Sequence, residues 1–244
     1  AQVKNRVLNK LMVGIIMTLV VLATVIPAVS VSASNNAEDK VTITLKKGKV
    51  TYDDDTKLTT LEGEPVSATT KSMVIKSNKF LATKNPVTGK INNMWTEEEF
   101  TLERDDGVSA TGDAISIDSD NNLVKITGNV RLEKLQFLES FDEDGKQEEE
   151  MAVICADNIE IDIDVEDFIA EGKVKVTRGD QSGECDKAYY RSEENALDME
   201  GSVYIVGADG ETIRAGKATI YLNSSSFTAE AGENEDVEIT FTMN

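Results

Sequence analysis

The chain contains no histidine, and it has only two cysteines, three prolines and one tryptophan. The missing histidine removes the commonest general base and the commonest zinc ligand, and two cysteines cannot complete a zinc site by themselves. Hydrolase triads and zinc chemistry therefore drop out. Basic residues are outnumbered, 25 against 45, for a net charge of −20, and such a field repels nucleic acid. No EF-hand loop spacing accompanies the carboxylates, so the acidity reads as a solvated outer face that keeps the protein soluble. The expectation is a protein that is not an enzyme and has no catalytic residues, no metal and no cofactor.

Aromatics are scarce at 5%, yet 40% of the residues are hydrophobic, which describes a folded chain built mainly from aliphatic side chains. The first apolar block is terminal. Lys4, Arg6 and Lys10 precede an uncharged stretch from Leu11 to about Val31, the order of a secretory signal. Val31-Ser32-Ala33 fits a small-residue cleavage site, whereas the apolar run is also long enough to remain as a membrane anchor. Cleavage after Ala33 is the favoured reading. No cysteine lies just beyond the segment to serve as a lipobox. Residues 1–33 are thus set apart as signal or anchor, and 40–244 as one continuous domain.

That domain repeats itself. A small residue opens a strand of period two, a polar turn follows, and a second strand begins with Gly-x-Val. The clearest copies run from Ala156-Asp-Asn-Ile to Glu171-Gly172-Lys-Val174 and from Cys185-Asp-Lys-Ala to Glu200-Gly201-Ser-Val203, with 16 positions from opening residue to glycine in each. Thr111-Gly-Asp-Ala to Gly128 and Ala215-Gly-Lys-Ala to Gly232 are longer by one, and Gly48-Lys-Val-Thr-Tyr to Gly63 is an earlier, weaker copy. Ile159, Ile161, Ile163 and Val165 alternate with Glu160, Asp162 and Asp164, placing aliphatics on one face and carboxylates on the other. No carboxylate pair stands out as acid and base. Each glycine is expected to mark a bend or bulge rather than a phosphate cradle.

Between the copies, 118–122, Pro86-Val-Thr-Gly89 and 223–226 read as turns, and the charge run from Glu139 to Glu150 reads as a mobile loop or an extended hairpin. From Val66 to Arg104, around Trp95, the pattern gives no register. Simple alternation places Cys155 with Ile159 and Ile161 but Cys185 out of phase with Ala188 and Tyr190, which argues against a disulfide unless a bulge intervenes.

The repeated small-Asp/Gly-x-Ala, polar turn, Glu-Gly-x-Val unit resembles the organic-solvent-tolerance (OstA-like) family, which includes LptA-like bridging and LptC-like anchored proteins of lipopolysaccharide transport. The resemblance spans roughly Lys40 to Phe241 and is best from Ser109 onward. It implies an all-β fold, an antiparallel open β-jellyroll whose apolar groove holds acyl chains. It also implies a periplasmic place with no catalysis, stacking with like domains, and inner-membrane transporter components as partners.

On this reading the groove is lined by Ile159, Ile161, Ile163, Val174, Val176, Val203, Ile205, Ile220 and Leu222, and the cargo is lipopolysaccharide or a related lipid. The final strand, Val237 to Met243, is the candidate docking edge, although internal pairing would account for it equally. The competing reading is a structural, self-assembling envelope protein whose packed interior excludes lipid.

Overall fold

A computed structural model describes residues 41–105, 107–141, 147–162, 164–165, 167–194, 196–208, 210–221, 226–232 and 236–241. All sixteen elements are strands: β1 Thr42–Leu45, β2 Lys49–Asp53, β3 Leu58–Thr69, β4 Met73–Lys84, β5 Ile91–Thr96, β6 Phe100–Arg104, β7 Val108–Gly112, β8 Ala114–Asp118, β9 Leu123–Phe141, β10 Gln147–Asp162, β11 Phe168–Arg178, β12 Gln181–Arg191, β13 Ala196–Val206, β14 Thr212–Tyr221, β15 Ser226–Glu230 and β16 Glu238–Thr240. Every pairing is antiparallel, and all belong to one sheet. No helix among the described residues is long and apolar enough to cross a membrane.

The sheet folds into two layers because its rungs bend in the middle. The first half of β9 pairs with β8 and the second half with β7, and β4 divides in the same way between β6 and β5. The strand pairs β1/β2, β5/β6, β7/β8 and β15/β16 are rungs that break at the corner, whereas β3, β4 and β9 to β14 pass through it. One layer holds β2, β5, β8, β15 and the adjoining halves of the long strands, and the other holds β1, β6, β7 and β16. This is the expected open jellyroll.

The repeated glycine makes the corner. Gly128, Gly172 and Gly201 have φ of 72°, 79° and 76°, and each is followed by a second positive-φ residue, Asn129, Lys173 or Ser202. The register shifts at these points, so each of these corners is a bulge. A Cβ on the glycine would meet the Oδ2 of Asp113, Asp157 or Asp186 at 2.2, 2.4 or 2.3 Å respectively. The aspartate and the glycine of one copy are therefore a matched pair. Where Gly216 replaces the aspartate, a Cβ there would stand 2.3 Å from Gly232, so backbone has moved into the vacated space.

The bulges overturn two expectations from simple alternation. Between Ala156 and Asn158 the phase of β10 inverts, so Ile154 and Ala156 face inward together with Ile159 and Ile161, and Cys155 faces outward beside Arg131. Cys185 is inward and buried. The cysteines do lie on opposite faces, each on the reverse of the expected one, and both are free thiols. Burial pushes the Cys185 thiol up to about 12. A thiol-reactive disulfide reagent at pH 8 is expected to label Cys155 in the folded chain and Cys185 only in denaturant. Labelling of both under native conditions would contradict the inward placement.

Val165 also departs from the expected strand. The Asp162 Oδ1 accepts hydrogen bonds from the Asp164 and Val165 N–H groups, ending β10 in an Asx turn and leaving Val165 52% exposed. Asp118 and Asn85 close the expected turns at 118–122 and 86–89 in the same way. The proposed turn at 223–226 falls largely outside the described residues. The strands flanking the charge run pair with each other, Phe141 opposite Gln147, and residues 142–146 lie outside the described residues.

The segment from Val66 to Arg104 follows the same plan with altered corners. Ser77-Asn78-Lys79-Phe80 occupies the bend of β4, an additional copy without the expected glycine. There the buried Ser77 and Thr96 hydroxyls hydrogen-bond at 3.1 Å and Ser77 Oγ donates to the Glu99 carbonyl, covering the break between β5 and β6.

Candidate functional site

The interior between the layers is the one place where the repeats converge. Alternation puts Ile115, Ile126, Ile159, Ala170, Ala188, Met199 and Ala218 in one register row across the first layer. Leu132, Ile154, Val176, Gly183, Ile205 and Ile213 form a corresponding row across the second. These rows belong to one continuous hydrophobic cluster that runs the length of the stack. The layers touch: a Cβ on Gly183 would stand 3.2 Å from Met199 Cε.

The described members of the expected lining all face this interior. Ile159, Ile161 and Ile220 come from the first layer, and Val174, Val176, Val203 and Ile205 from the second, each buried in the common cluster. Ile163 and Leu222 lie outside the described residues. Sequence reasoning missed Ile154, Phe168, Tyr190, Leu197 and Met199, which are equally buried. Phe168 and Tyr190 stack at 5.5 Å between ring centroids. Continuing the alternation across Gly201-Ser202 would have found Leu197 and Met199, whereas the bulge at 156–158 hid Ile154.

Inner-face residues change character at the two ends of the stack. At one end Val50 and Tyr52 on β2 are 57% and 54% exposed, and at the other Val237, Ile239 and Phe241 are 37%, 38% and 39% exposed. The final strand, the candidate docking edge, pairs with β14 on one side and has no strand on its other side among the described residues. It extends only over Glu238–Thr240, and Met243 lies outside the described residues.

The outer face is charged and cross-paired. Glu160 bonds Lys125 at 2.7 Å, Glu171 bonds Lys187 at 2.7 Å, Glu184 bonds Lys175 at 2.7 Å and Glu200 bonds Lys217 at 2.8 Å. Each pair joins neighbouring strands directly across the ladder. The pairs are solvent-exposed, so they set register more than they stabilise. Arg191 is the firmer anchor, its Nε and a terminal nitrogen donating to both oxygens of Asp198 at 2.8 and 3.1 Å.

Among the described residues the arrangement is thus an apolar interior, open-ended along the stack, inside a charged shell. Among known proteins, no curated sequence matches the chain. The crystal structure of LptH, the LptA homologous periplasmic component of the conserved lipopolysaccharide transport device from Pseudomonas aeruginosa, aligns over 86% of this chain and 100% of that one, with 9% identity and a TM-score of 0.31, a likeness too low to carry weight. The family model for the LptA/(LptD N-terminal domain) LPS transport proteins matches residues 45–166, half of the chain. The matched region runs from the end of β1 through the first corners and into the turn after β10, and on that match the chain belongs to the LptA/LptD N-terminal domain family of lipopolysaccharide transport proteins.

Proposed function

We propose that the chain carries or bridges lipopolysaccharide between the inner and outer membranes through its apolar interior. The observation that supports this most is the continuity of the inner-face rows, covered along the stack and, among the described residues, uncovered at both ends. Aliphatic and small residues in register offer acyl chains a surface without strict shape demands, and each methylene taken from water contributes about 0.8 kcal/mol. The close contact of Met199 with Gly183 means that an acyl chain enters by parting the layers, starting from an uncovered end. Lipid displaces side-chain contacts there rather than filling an empty channel.

On this reading the protein acts in the periplasm, with residues 1–33 as its export signal or inner-membrane anchor and 40–244 as its working domain. It performs no catalysis. Its partners are the lipid, like jellyroll domains stacked at its edges and the inner-membrane transporter components. The strongly acidic shell fits either a cargo of low charge or a headgroup screened by cations.

A second reading, a self-assembling envelope protein without cargo, is favoured by the same close approach of Met199 to Gly183, which brings the layers together at that point. Lipopolysaccharide labelled with a self-quenching fluorophore separates the two. Saturable dequenching on mixing with the protein, competed by unlabelled lipopolysaccharide but not by its lipid-free polysaccharide, is the result expected of a carrier. Dequenching that is absent or unsaturable supports the closed stack.

A further inference from the structure

Trp95, the single tryptophan of the chain, is turned away from the apolar interior. Its neighbour Thr96 stands opposite Ile115, and both are buried between the layers. Alternation therefore puts Trp95 on the outer face, opposite Leu81 on one side and Ser116 on the other. The same outer row continues through Ser116 into the Lys125–Glu160 ion pair, so Leu81 and Trp95 interrupt the charged shell of the first layer. A hollow of about 290 Å³ lies beside the ring. Trp95 and Leu123 line it with apolar surface, and Asn93, Ser116, Asp118 and Lys125 line it with hydrogen-bond donors and acceptors. Two of the polar groups are already fixed: Asp118 Oδ1 accepts from the Asp120 and Asn121 N–H groups at 3.0 and 3.1 Å, and Lys125 is held by Glu160 at 2.7 Å.

We propose that this hollow is a saccharide subsite on the outer face, with one face of a sugar ring laid on the Trp95 indole. The hydroxyls of the ring reach Asn93, Ser116, Asp118 and Lys125. A pyranose is apolar on its C–H faces and hydroxylated round its rim, which matches an aromatic plate edged by mixed donors and acceptors. A wholly apolar ligand would leave those polar groups unpaired. An anionic one would meet Asp118 in a chain whose net charge is −20, so a neutral or amino sugar fits best. Cross-strand packing of Trp95 on Leu81 accounts for the place of the ring but for neither the hollow nor its polar edge. The hollow lies outside the layers and does not depend on lipid entering between them. The proposed function bears on it only through one source of the sugar, the saccharide part of lipopolysaccharide; a free glycan is the other.

With a single indole in the chain, tryptophan emission reports occupancy of the hollow directly. The test titrates the full chain, in a detergent without a sugar headgroup, with lipid-free polysaccharide cut from lipopolysaccharide and, separately, with dextran. A saturable change in emission is expected, and which sugar produces it tells the saccharide of the lipid from a free glycan. Asn93→Ala and Lys125→Gln should each weaken that binding about tenfold, with urea midpoints close to that of the parent. Trp95→Ala, followed by calorimetry because the reporter is gone, should abolish it. Where Trp95→Ala does not fold, the Asn93 and Lys125 variants decide. Emission that neither sugar changes, or affinity unchanged in both Asn93→Ala and Lys125→Gln, overturns the proposal. Dequenching of labelled lipopolysaccharide reports the interior separately and should survive Asn93→Ala, so failure of the lipid reading and failure of the saccharide subsite are visible apart.

Discussion

Replacing Gly172 with alanine destabilises the folded chain by about 2–3 kcal/mol in urea denaturation. Two causes combine. The residue has φ of 79°, which costs an L side chain about 1–2 kcal/mol, and the added Cβ would stand 2.4 Å from Asp157 Oδ2 and 2.7 Å from Asp157 Cβ. Changing Asp157 to glycine in the same chain removes the second cause and leaves the first, so the two substitutions couple by about 1 kcal/mol. The pairing of Gly216 with Gly232 shows how the fold accommodates a corner without the carboxylate. Lys173, whose φ is already 50°, serves as the control, and Lys173→Ala changes stability by less than about 0.5 kcal/mol. A tolerated Gly172→Ala would mean that the corner is not what bends the rung.

Truncating Ile154 to alanine costs about 3–4 kcal/mol, whereas the same truncation at Ile239 costs less than about 1 kcal/mol. Both isoleucines occupy the same inner-face row of the second layer, at its middle and at its end. Ile154 is 0% exposed and Ile239 is 38% exposed. The contrast therefore measures position along the stack rather than side-chain type. Equal costs at the two sites would show that the end near β16 is as well covered as the middle, which would remove the open end from the account.

Much of this architecture was legible because period-two alternation and a recurring glycine are local signals. Ile159, Ile161, Val174, Val176, Val203, Ile205 and Ile220 could be assigned to one apolar face by counting alone, and they do meet in one interior. The two-layer fold was legible only through the resemblance, since alternation along a strand does not reveal where the strand bends. The faces of Cys155 and Cys185 were misassigned because a bulge adds an odd residue and inverts the phase without any local change in composition. Between Val66 and Arg104 the corner is built from Ser77, Thr96 and a strand break instead of Gly-x-Val, so the signal that marked the other copies was absent. Val237, Ile239 and Phe241 carry a perfect inward alternation, yet what covers an inner face depends on the next rung, which is not a property of the strand itself.

The central claim is that acyl chains occupy the space between the layers. The direct measurement places a photo-activatable residue at Ile161, buried in the first layer, and in a separate variant at Glu160, on the outer face beside Lys125, in cells that make lipopolysaccharide. The account predicts lipopolysaccharide attached at position 161 and not at 160. Attachment at neither position in a folded protein, or at 160 alone, would contradict it.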